Sequence, residues 1–328
     1  MYIEAAFALV VCSPEVESIA REYFFIRVWA APATLSLMVF KGWFIGMQNT
    51  VLPMAVDITV NVVNVVVSYI LAVHTPIGVA GVAAGTVVAQ YTGLLLAIIL
   101  MCHNFREYFH LISVRASIKL NKMKHFFSIN GNLFIRSLCM LVIYIGFTSI
   151  AAKYGDTLLA VSSVMMKLLL LYSYFVDGFA YAGEALVGRF IGERNSDSLI
   201  STVRWIFIWC FGISLLSTLI YAGLGKSMFQ LMTDNPEVVE ASAPFLFWLL
   251  LMPVVSCIAF TWDGIFIGAT ATNHLRNSMI WSAALFIITY VAFEPLLGIQ
   301  SLYLAYFVHL LVRSLYLTIV RKSALTIK

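Results

Sequence analysis

Long apolar stretches follow one another along the 328-residue chain, separated by short polar breaks. A helix needs about 20 mainly apolar residues to cross the roughly 30 Å hydrocarbon core of a bilayer. The segment 1–12 is apolar but only about half that long. On this measure the pattern predicts nine membrane spans, at residues 22–47, 52–74, 77–101, 126–150, 158–189, 203–224, 240–269, 277–296 and 298–320.

The polar breaks carry signals for helix ends. Ser13-Pro14-Glu15 and Asn235-Pro236-Glu237 each combine an N-cap residue, a proline at the first helical position and an acid in the first turn. His74-Thr75-Pro76 and Glu294-Pro295 mark two tight turns. The pattern therefore predicts an all-α polytopic membrane protein.

A segment with the pattern G-x-F-I-G occurs twice, 222 positions apart, as FKGWFIGM at 40–47 and WDGIFIGA at 262–269. At the same offset, SPEVES at 13–18 corresponds to NPEVVE at 235–240. Both G-x-F-I-G copies lie on spans that run in the same direction. We therefore expect two parallel, pseudo-repeated helical lobes, related by an axis along the membrane normal.

The two copies of the repeat have unequal surroundings. Three predicted spans precede the second copy, whereas only half a span precedes the first. We expect an N-terminal half-lobe at 1–101, a basic cytoplasmic linker at 102–125 and a six-helix lobe at 126–322. Compared with a symmetric twelve-span protein, the first lobe is then truncated and lacks its first helices; a genuine nine-span protein is the alternative.

Composition agrees with a lipid environment. Hydrophobic residues make up 62% of the chain and charged residues 11%, against about 45–50% and 25% in soluble domains. Lys and Arg gather in alternate loops, above all in the 102–125 linker, as the positive-inside rule requires of cytoplasmic loops. The net charge of +4 therefore reflects topology, and no nucleic-acid partner is expected. We expect a multi-pass protein of the bacterial inner membrane with a cytoplasmic C-terminus.

Motifs for enzymatic chemistry and for metal binding are absent from the sequence. Gly225-Lys226-Ser227 resembles the end of a phosphate-binding loop, but Ile220 stands where the first glycine is required. The five cysteines stand apart from one another and from any histidine cluster, as expected of packing residues. We expect neither an enzyme nor a metal site.

Polar residues inside spans are the candidates for a transport site, because a charge at the bilayer centre is costly. The second span carries Asp57, Asn61, Asn64 and Ser68, at spacings of four, three and four. This spacing places all four on one face of a helix. The stripe is interpreted either as a cavity wall or as a seam of hydrogen bonds between helices.

The fifth span carries a second polar set. Asp177, Tyr181 and Glu184 share one helical face, and Lys167 lies earlier in the same span. Asp177 is a cavity candidate, whereas Glu184 lies near the membrane surface, where hydration is the alternative. Arg136 in the fourth span is a candidate to neutralise either acid, since a guanidinium retains its charge.

One stretch of the fifth span carries a family resemblance. The run VDGFAYAGEALVGRFIG at 176–192, with DGIFIGAT at 263–270, resembles the DinF-like branch of the multidrug and toxic compound extrusion (MATE) family. IRVWAAPATLSL…GWFIGMQNT at 26–50 and IGVAGVAAGTVVAQY at 77–91 add to the resemblance, which covers residues 4–322. It implies two six-helix lobes around a central cavity, and export of amphipathic compounds driven by inward flow of H⁺ or Na⁺.

Asp263 is the strongest candidate for the cation-coupling residue. It is the only charged residue between Glu240 and His274, and it occupies the repeat position held by Lys41 in the first copy. It resembles an acid that some family members carry in the tenth helix and that is linked to cation coupling. The alternative is that Asp263 forms a buried ion pair with Lys41 or Lys167. A further coupling acid of the family lies on its first helix, which is expected to be missing here.

The function we expect is secondary active multidrug export by alternating access, in which residues 13–101 rock against residues 126–320. H⁺ or Na⁺ is the coupling ion, and no other cofactor is expected. The partners are the lipid bilayer and small amphipathic organic compounds, cationic in the main; the oligomeric state is not predicted.

Two alternatives stay open. One is a non-transporting truncated fragment. The other is a flippase for lipid-linked oligosaccharides, which would need clustered basic residues to hold a phosphate. The basic residues inside spans are Arg27, Lys41, Arg136, Lys167 and Arg313.

Overall fold

The computed structural model describes residues 14–111 and 119–325 and divides the chain into two compact units. Unit 1 is Met1–Val114 and unit 2 is Arg115–Lys328, so the division falls inside the predicted 102–125 linker. Within the described ranges the secondary structure consists of helices joined by short turns. Part of the predicted linker is itself helical.

Unit 1 contains four α-helices within its described residues, 14–111. Its core is built from side chains such as Leu37, Phe44 and Val56, which are almost fully buried. A 3₁₀ turn at Val28–Ala30 joins the first two helices, and a 3₁₀ segment at Arg106–Leu111 follows the last. The helices are α1 (Pro14–Arg27), α2 (Ala31–Gly46), α3 (Val51–Val73) and α4 (Val79–Asn104).

Small residues allow α3 and α4 to pack at short range. A Cβ atom added at Gly81 would lie 2.8 Å from the backbone carbonyl of Leu71, and one at Gly85 would overlap Ser68. Association of helices in lipid depends on such close backbone approach, because apolar side chains gain little by leaving lipid tails. The glycines of α4 therefore fix the contact between these helices.

In unit 2, the described residues 119–325 form seven α-helices. The predicted N-cap at Asn235 is confirmed: its side chain accepts a hydrogen bond from the Glu237 backbone N–H at 2.9 Å, and Pro236 begins the helix. A 3₁₀ turn at Ala243–Phe245 follows this short helix. The helices are α5 (Leu120–Ala152), α6 (Asp156–Gly192), α7 (Ser196–Met232), α8 (Pro236–Ala241), α9 (Leu246–Gly268), α10 (Thr272–Leu297) and α11 (Gln300–Ala324). The corresponding predicted cap at Ser13 lies outside the described residues.

Nine helical segments of the described chain are long and apolar enough to cross a membrane, in the predicted order. Two of them extend well beyond the predicted spans, since Asp156–Gly192 and Ser196–Met232 each contain 37 residues. The apolar pattern finds only the part of a helix that lies in hydrocarbon, whereas the backbone hydrogen bonds continue into polar ends. The fold is the expected all-α polytopic architecture.

The internal repeat is present in the backbone as well as in the sequence. Gln48 and Thr270, 222 positions apart, both adopt a left-handed conformation, with φ of 59° and 54°. In both copies the backbone N–H of the next residue donates to the carbonyl of the G-x-F-I-G phenylalanine, at 2.9 Å. The same helix ending recurs after Phe190-Ile191-Gly192, where Arg194 has a φ of 56°. F-I-G thus marks a specific C-terminal cap.

The glycines of the two repeat copies differ in their contacts. A Cβ added at Gly264 would overlap the carbonyl of Ala180, and one at Gly268 would overlap the carbonyl of Glu184. At Gly42 and Gly46 an added Cβ meets no atom within 4 Å among the described residues. The glycines of the second copy therefore pack tightly on α6, whereas those of the first have no close neighbour among the described residues.

Candidate functional site

Two arginines and one aspartate, from three helices of unit 2, form a charged cluster in which both arginines bind the aspartate carboxylate. Arg136 Nη2 on α5 lies 2.6 Å from Asp263 Oδ2 on α9, and Arg313 Nη2 on α11 donates to the same oxygen. The side chains of Arg136, Asp263 and Arg313 are 17%, 13% and 2% exposed. The group carries two positive charges and one negative charge in a largely buried position.

The contacts of Trp262 fix the rotation of α9 at Asp263. Trp262, its neighbour, is buried against the ring of Phe207, and its indole N–H donates to Thr318 Oγ1 at 2.9 Å. Consecutive helical residues face different directions. With Trp262 held against α7 and α11, the next residue, Asp263, reaches Arg136 on α5 and Arg313 on α11.

Several polar atoms of this cluster have no hydrogen-bond partner within the described part of the chain. They are buried and belong to three charged side chains and a neighbouring histidine. An arginine offers five N–H donors, so two arginines exceed what one carboxylate can accept. The atoms are Arg136 Nε, Arg313 Nε, Asp263 Oδ1 and His309 Nδ1.

The cluster forms one wall of a cavity of about 390 Å³ in unit 2. Asp177 and Lys167 also line it, so three basic and two acidic residues face the same space. The Arg313 guanidinium lies 5.7 Å from the centre of the Phe260 ring, a cation–π arrangement. The apolar wall comprises Met140, Ile143, Tyr144, Met166, Leu169, Leu170, Phe260, Tyr306 and Leu310.

Four of the predicted site residues therefore come together: Asp263, Asp177, Arg136 and Lys167. Among the residues that the structure describes, no basic side chain lies within 4 Å of the Asp177 carboxylate. The other predicted members of the α6 face lie elsewhere. Tyr181 is 51% exposed, and the backbone of Glu184 packs on Gly268.

The partners predicted for Asp263 require correction. Asp263 is bound by Arg136 and Arg313, not by Lys41 or Lys167. Arg136, predicted to neutralise Asp177 or Glu184, neutralises Asp263 instead. The sequence alone could not show which basic residue inside a span pairs with Asp263, because pairing depends on which helices are adjacent.

Lys41 pairs with an acid of its own unit. Its ammonium group on α2 contacts the Asp57 carboxylate on α3, and the two side chains are 35% and 48% exposed. Each repeat copy thus neutralises its charged position within its own unit, although the signs are opposite. The half-exposed setting of this pair differs from the buried setting of Asp263.

The rest of the α3 stripe takes part in hydrogen bonds along and between helices. Asn61 donates to the backbone carbonyl of Asp57 at 2.9 Å. Asn64 Oδ1 accepts from Ser68 on the same helix at 3.1 Å and from Thr86 on α4 at 3.2 Å. These contacts match the interpretation of the stripe as a seam.

Arg313 and His309 are site residues that sequence reasoning left out of its candidate site. Arg313 is among the most deeply buried residues of unit 2, at 1% exposure, and His309 is 4% exposed. Both lie on α11 at a spacing of four and line the cavity. A basic residue inside a span is the signal that could have identified Arg313.

Nine apolar helices among the described residues define a polytopic α-helical membrane protein, with a charged cavity in unit 2. The sequence profile of the MatE family matches residues 1–70 and 133–296. The chain belongs to the MatE family, as the resemblance predicted.

Relatives and solved structures agree with this assignment. DNA damage-inducible protein F of Escherichia coli K12 is 31% identical over 319 residues, which cover 96% of this chain and 68% of that protein. Protein DETOXIFICATION 44, chloroplastic, of Arabidopsis thaliana is 23% identical, covering 90% of this chain and 55% of that protein. The chain thus spans only about half the length of this plant relative.

The fold resembles solved transporters at low sequence identity. The Vibrio cholerae MATE transporter VcmN in its bent form has a TM-score of 0.84 and 16% identity, covering 98% of this chain and 73% of that one. An outward-facing multidrug resistance MATE family transporter of the MOP superfamily has a TM-score of 0.85 and 18% identity, covering 96% and 72%.

Proposed function

We propose that this protein is a secondary active exporter of small amphipathic organic compounds, driven by inward movement of H⁺ or Na⁺. The observation that carries the proposal is the cavity of unit 2, where Asp177 lies beside an apolar wall within membrane-spanning helices. Family membership supports it. The compounds are those with an apolar body and a basic group, which a carboxylate attracts.

The contacts of the two cavity acids favour Asp177 over Asp263 as the coupling residue. Asp263 shares one oxygen between two guanidinium groups. Both guanidinium groups retain their charge, so Asp263 is needed as their shared counter-charge. Asp177 has no such ion-pair partner among the described residues, so its carboxylate is available to a coupling ion. Asp263 then serves to position the arginines.

The proposed cycle is competition at Asp177 combined with alternating access. An ionised Asp177 binds the basic group of the compound on one side of the membrane. On the other side H⁺ or Na⁺ replaces it, since the two ligands compete for one carboxylate. Linkage of this kind requires that the coupling ion and the compound each weaken binding of the other.

The test is dye efflux from proteoliposomes, with proton and sodium gradients imposed separately. Asp177→Asn is expected to abolish gradient-driven ethidium efflux, whereas Asp177→Glu retains it because a titratable carboxyl remains. Asp234→Asn, an exposed acid between α7 and α8, is the matched control and should behave as wild type. Full efflux by Asp177→Asn together with loss in Asp263→Asn would restore Asp263 as the coupling acid.

One observation supports the flippase alternative: the cavity is lined by three basic residues, Arg136, Lys167 and Arg313. Two acids balance most of this charge, which favours the exporter. A polyprenyl-phosphate lipid that copurifies with the protein, without dye efflux, would support the flippase. Absence of any transport in a correctly folded preparation would support the non-transporting alternative.

A further inference from the structure

We infer that a groove formed by α7, α9 and α11 of unit 2 binds an anionic phospholipid, with the headgroup phosphate on Arg321 and Lys322 and an acyl chain against the apolar floor. The groove has a volume of about 450 Å³. It shares no lining residue with the cavity that contains Asp177. The inference goes beyond the proposed function and does not depend on it.

The groove lies where the ends of membrane-spanning helices come together. Ser196, the first residue of α7, and Leu325, which directly follows α11, both line it. Trp262 also lines it and lies six residues before Gly268, the last residue of α9. With a rise of about 1.5 Å per residue, this distance corresponds to about 9 Å along the helix. The groove therefore extends from the polar helix ends into the apolar part of the spans, the depth at which a lipid headgroup joins its acyl chains.

The polar rim of the groove is positively charged. Arg321 and Lys322 line it, and both residues are exposed, so a ligand can reach their charged groups. Among the described residues, no carboxylate lies within 4 Å of the Arg321 guanidinium group. An adjoining hollow, which shares Ile200 with the groove, is lined by Asp197 and Arg204, whose charges balance. Groove and hollow together therefore carry two positive charges in excess.

The floor of the groove is apolar. Leu199 on α7 and Trp262 on α9 line it and are each 3% exposed, so they lie beneath the surface. Ile200, at the edge, is 68% exposed, and Val203 continues the apolar surface one turn along α7. A free phosphate would contact the cations and leave this surface uncovered. A phospholipid covers both parts of the groove.

The predicted topology places this end of the bundle beside anionic lipid. The positive-inside rule predicts that Arg321 and Lys322 face the cytoplasm. The cytoplasmic leaflet carries a negative surface potential, and basic pockets between spans on that side are suited to anionic headgroups. Charge and apolar surface therefore favour the same occupant.

The headgroup preference is the first test. Dioleoylphosphatidylglycerol and dioleoylphosphatidylcholine have the same acyl chains and differ in net headgroup charge. Native mass spectrometry of the purified 328-residue protein in detergent measures the affinity for the first bound lipid. Phosphatidylglycerol is expected to bind about tenfold more tightly, because two basic side chains attract its charge. Equal affinities for the two lipids would overturn the inference.

The double variant Arg321→Gln/Lys322→Gln is expected to lower the affinity for phosphatidylglycerol to that for phosphatidylcholine. The matched control, Arg106→Gln/Lys124→Gln, removes two exposed basic residues of the predicted cytoplasmic linker and should retain the preference. Parallel losses in the two double variants would show attraction to net charge alone, which would overturn the assignment to the groove.

Val203→Trp tests the apolar half, because it fills the groove and retains both charges. It is expected to weaken both lipids, whereas Leu215→Trp, at an exposed position further along α7, should bind them as wild type does. Unchanged lipid binding in Val203→Trp would overturn the inference even if the charge variant does not fold.

Inorganic phosphate separates the lipid from a free anion. Compared with chloride at the same ionic strength, it should leave phosphatidylglycerol bound, because it cannot cover the apolar floor. Displacement by phosphate would identify a free-anion site and overturn the lipid assignment. Binding in detergent needs no gradient, and none of these substitutions lies in the cavity with Asp177. Failure here and failure of the efflux assay are therefore distinguishable.

Discussion

A single carboxylate oxygen of Asp263 accepts from two arginines, whereas Asp57 pairs with one lysine. The two acids illustrate how burial changes the contribution of an ion pair to the stability of the fold. Breaking a buried pair leaves an uncompensated charge, while a half-exposed pair is replaced by water. The Asp263 cluster should therefore contribute to stability in a way that the Lys41–Asp57 pair does not.

Asp263→Asn is expected to destabilise the protein by about 3–5 kcal/mol, because two buried guanidinium groups lose their shared counter-charge. The unfolding temperature of the purified protein in detergent measures this loss. Asp57→Asn is the matched control, with only a small shift expected. Similar shifts for the two variants would contradict the distinction drawn from burial.

The seam between α6 and α9 gives a physical reason for the family-like motif in the fifth span. Ala180 and Glu184 on α6 present backbone carbonyls to Gly264 and Gly268 on α9. Gly188 continues the seam, since a Cβ there would lie 3.3 Å from the Gly268 carbonyl. Gly264 and Gly268, four apart on α9, permit this approach because they carry no side chain. The seam in turn positions Asp177 and Asp263 on helices in direct contact.

Gly264→Ala is expected to weaken folding and to impair ligand binding, because the new Cβ would overlap the Ala180 carbonyl and push α9 away from α6. Gly42→Ala, at the equivalent position of the first repeat, should be tolerated in unit 1, where an added Cβ meets no described atom within 4 Å. Thermal stability in detergent and ethidium efflux from proteoliposomes measure both effects. Equal losses at the two positions would show that the glycines serve backbone conformation, not packing.

The orientation of the full chain in the membrane is a prediction from charge. The basic 102–125 linker and the basic residues Arg321 and Lys322 in the last turn of α11 should face the cytoplasm, following the positive-inside rule. A C-terminal green fluorescent protein fusion should fluoresce in bacterial inner membranes, and a C-terminal alkaline phosphatase fusion should be inactive. Active phosphatase at this position would reverse the topology.

The sequence was sufficient for most of the fold. Apolar length predicts each span, because crossing hydrocarbon requires about 20 apolar residues regardless of what the helix contacts. The G-x-F-I-G repeat likewise predicts equivalent backbone, and Gln48 and Thr270 share their left-handed conformation. These features depend on local chain chemistry. They can therefore be predicted from residues that are close together in the sequence.

Tertiary structure was needed for the pairing of charges. Asp263 is 127 positions from Arg136 and 50 from Arg313. Nothing local favours these partners over Lys41 or Lys167. Only the packing of α5, α9 and α11 brings the three charges within hydrogen-bond distance. Because the cluster is buried, loss of this pairing would lower the stability of the fold. The charge swap between FKGWFIGM and WDGIFIGA is resolved in this way: each copy satisfies its charge inside its own unit, because ion pairs form between neighbouring helices.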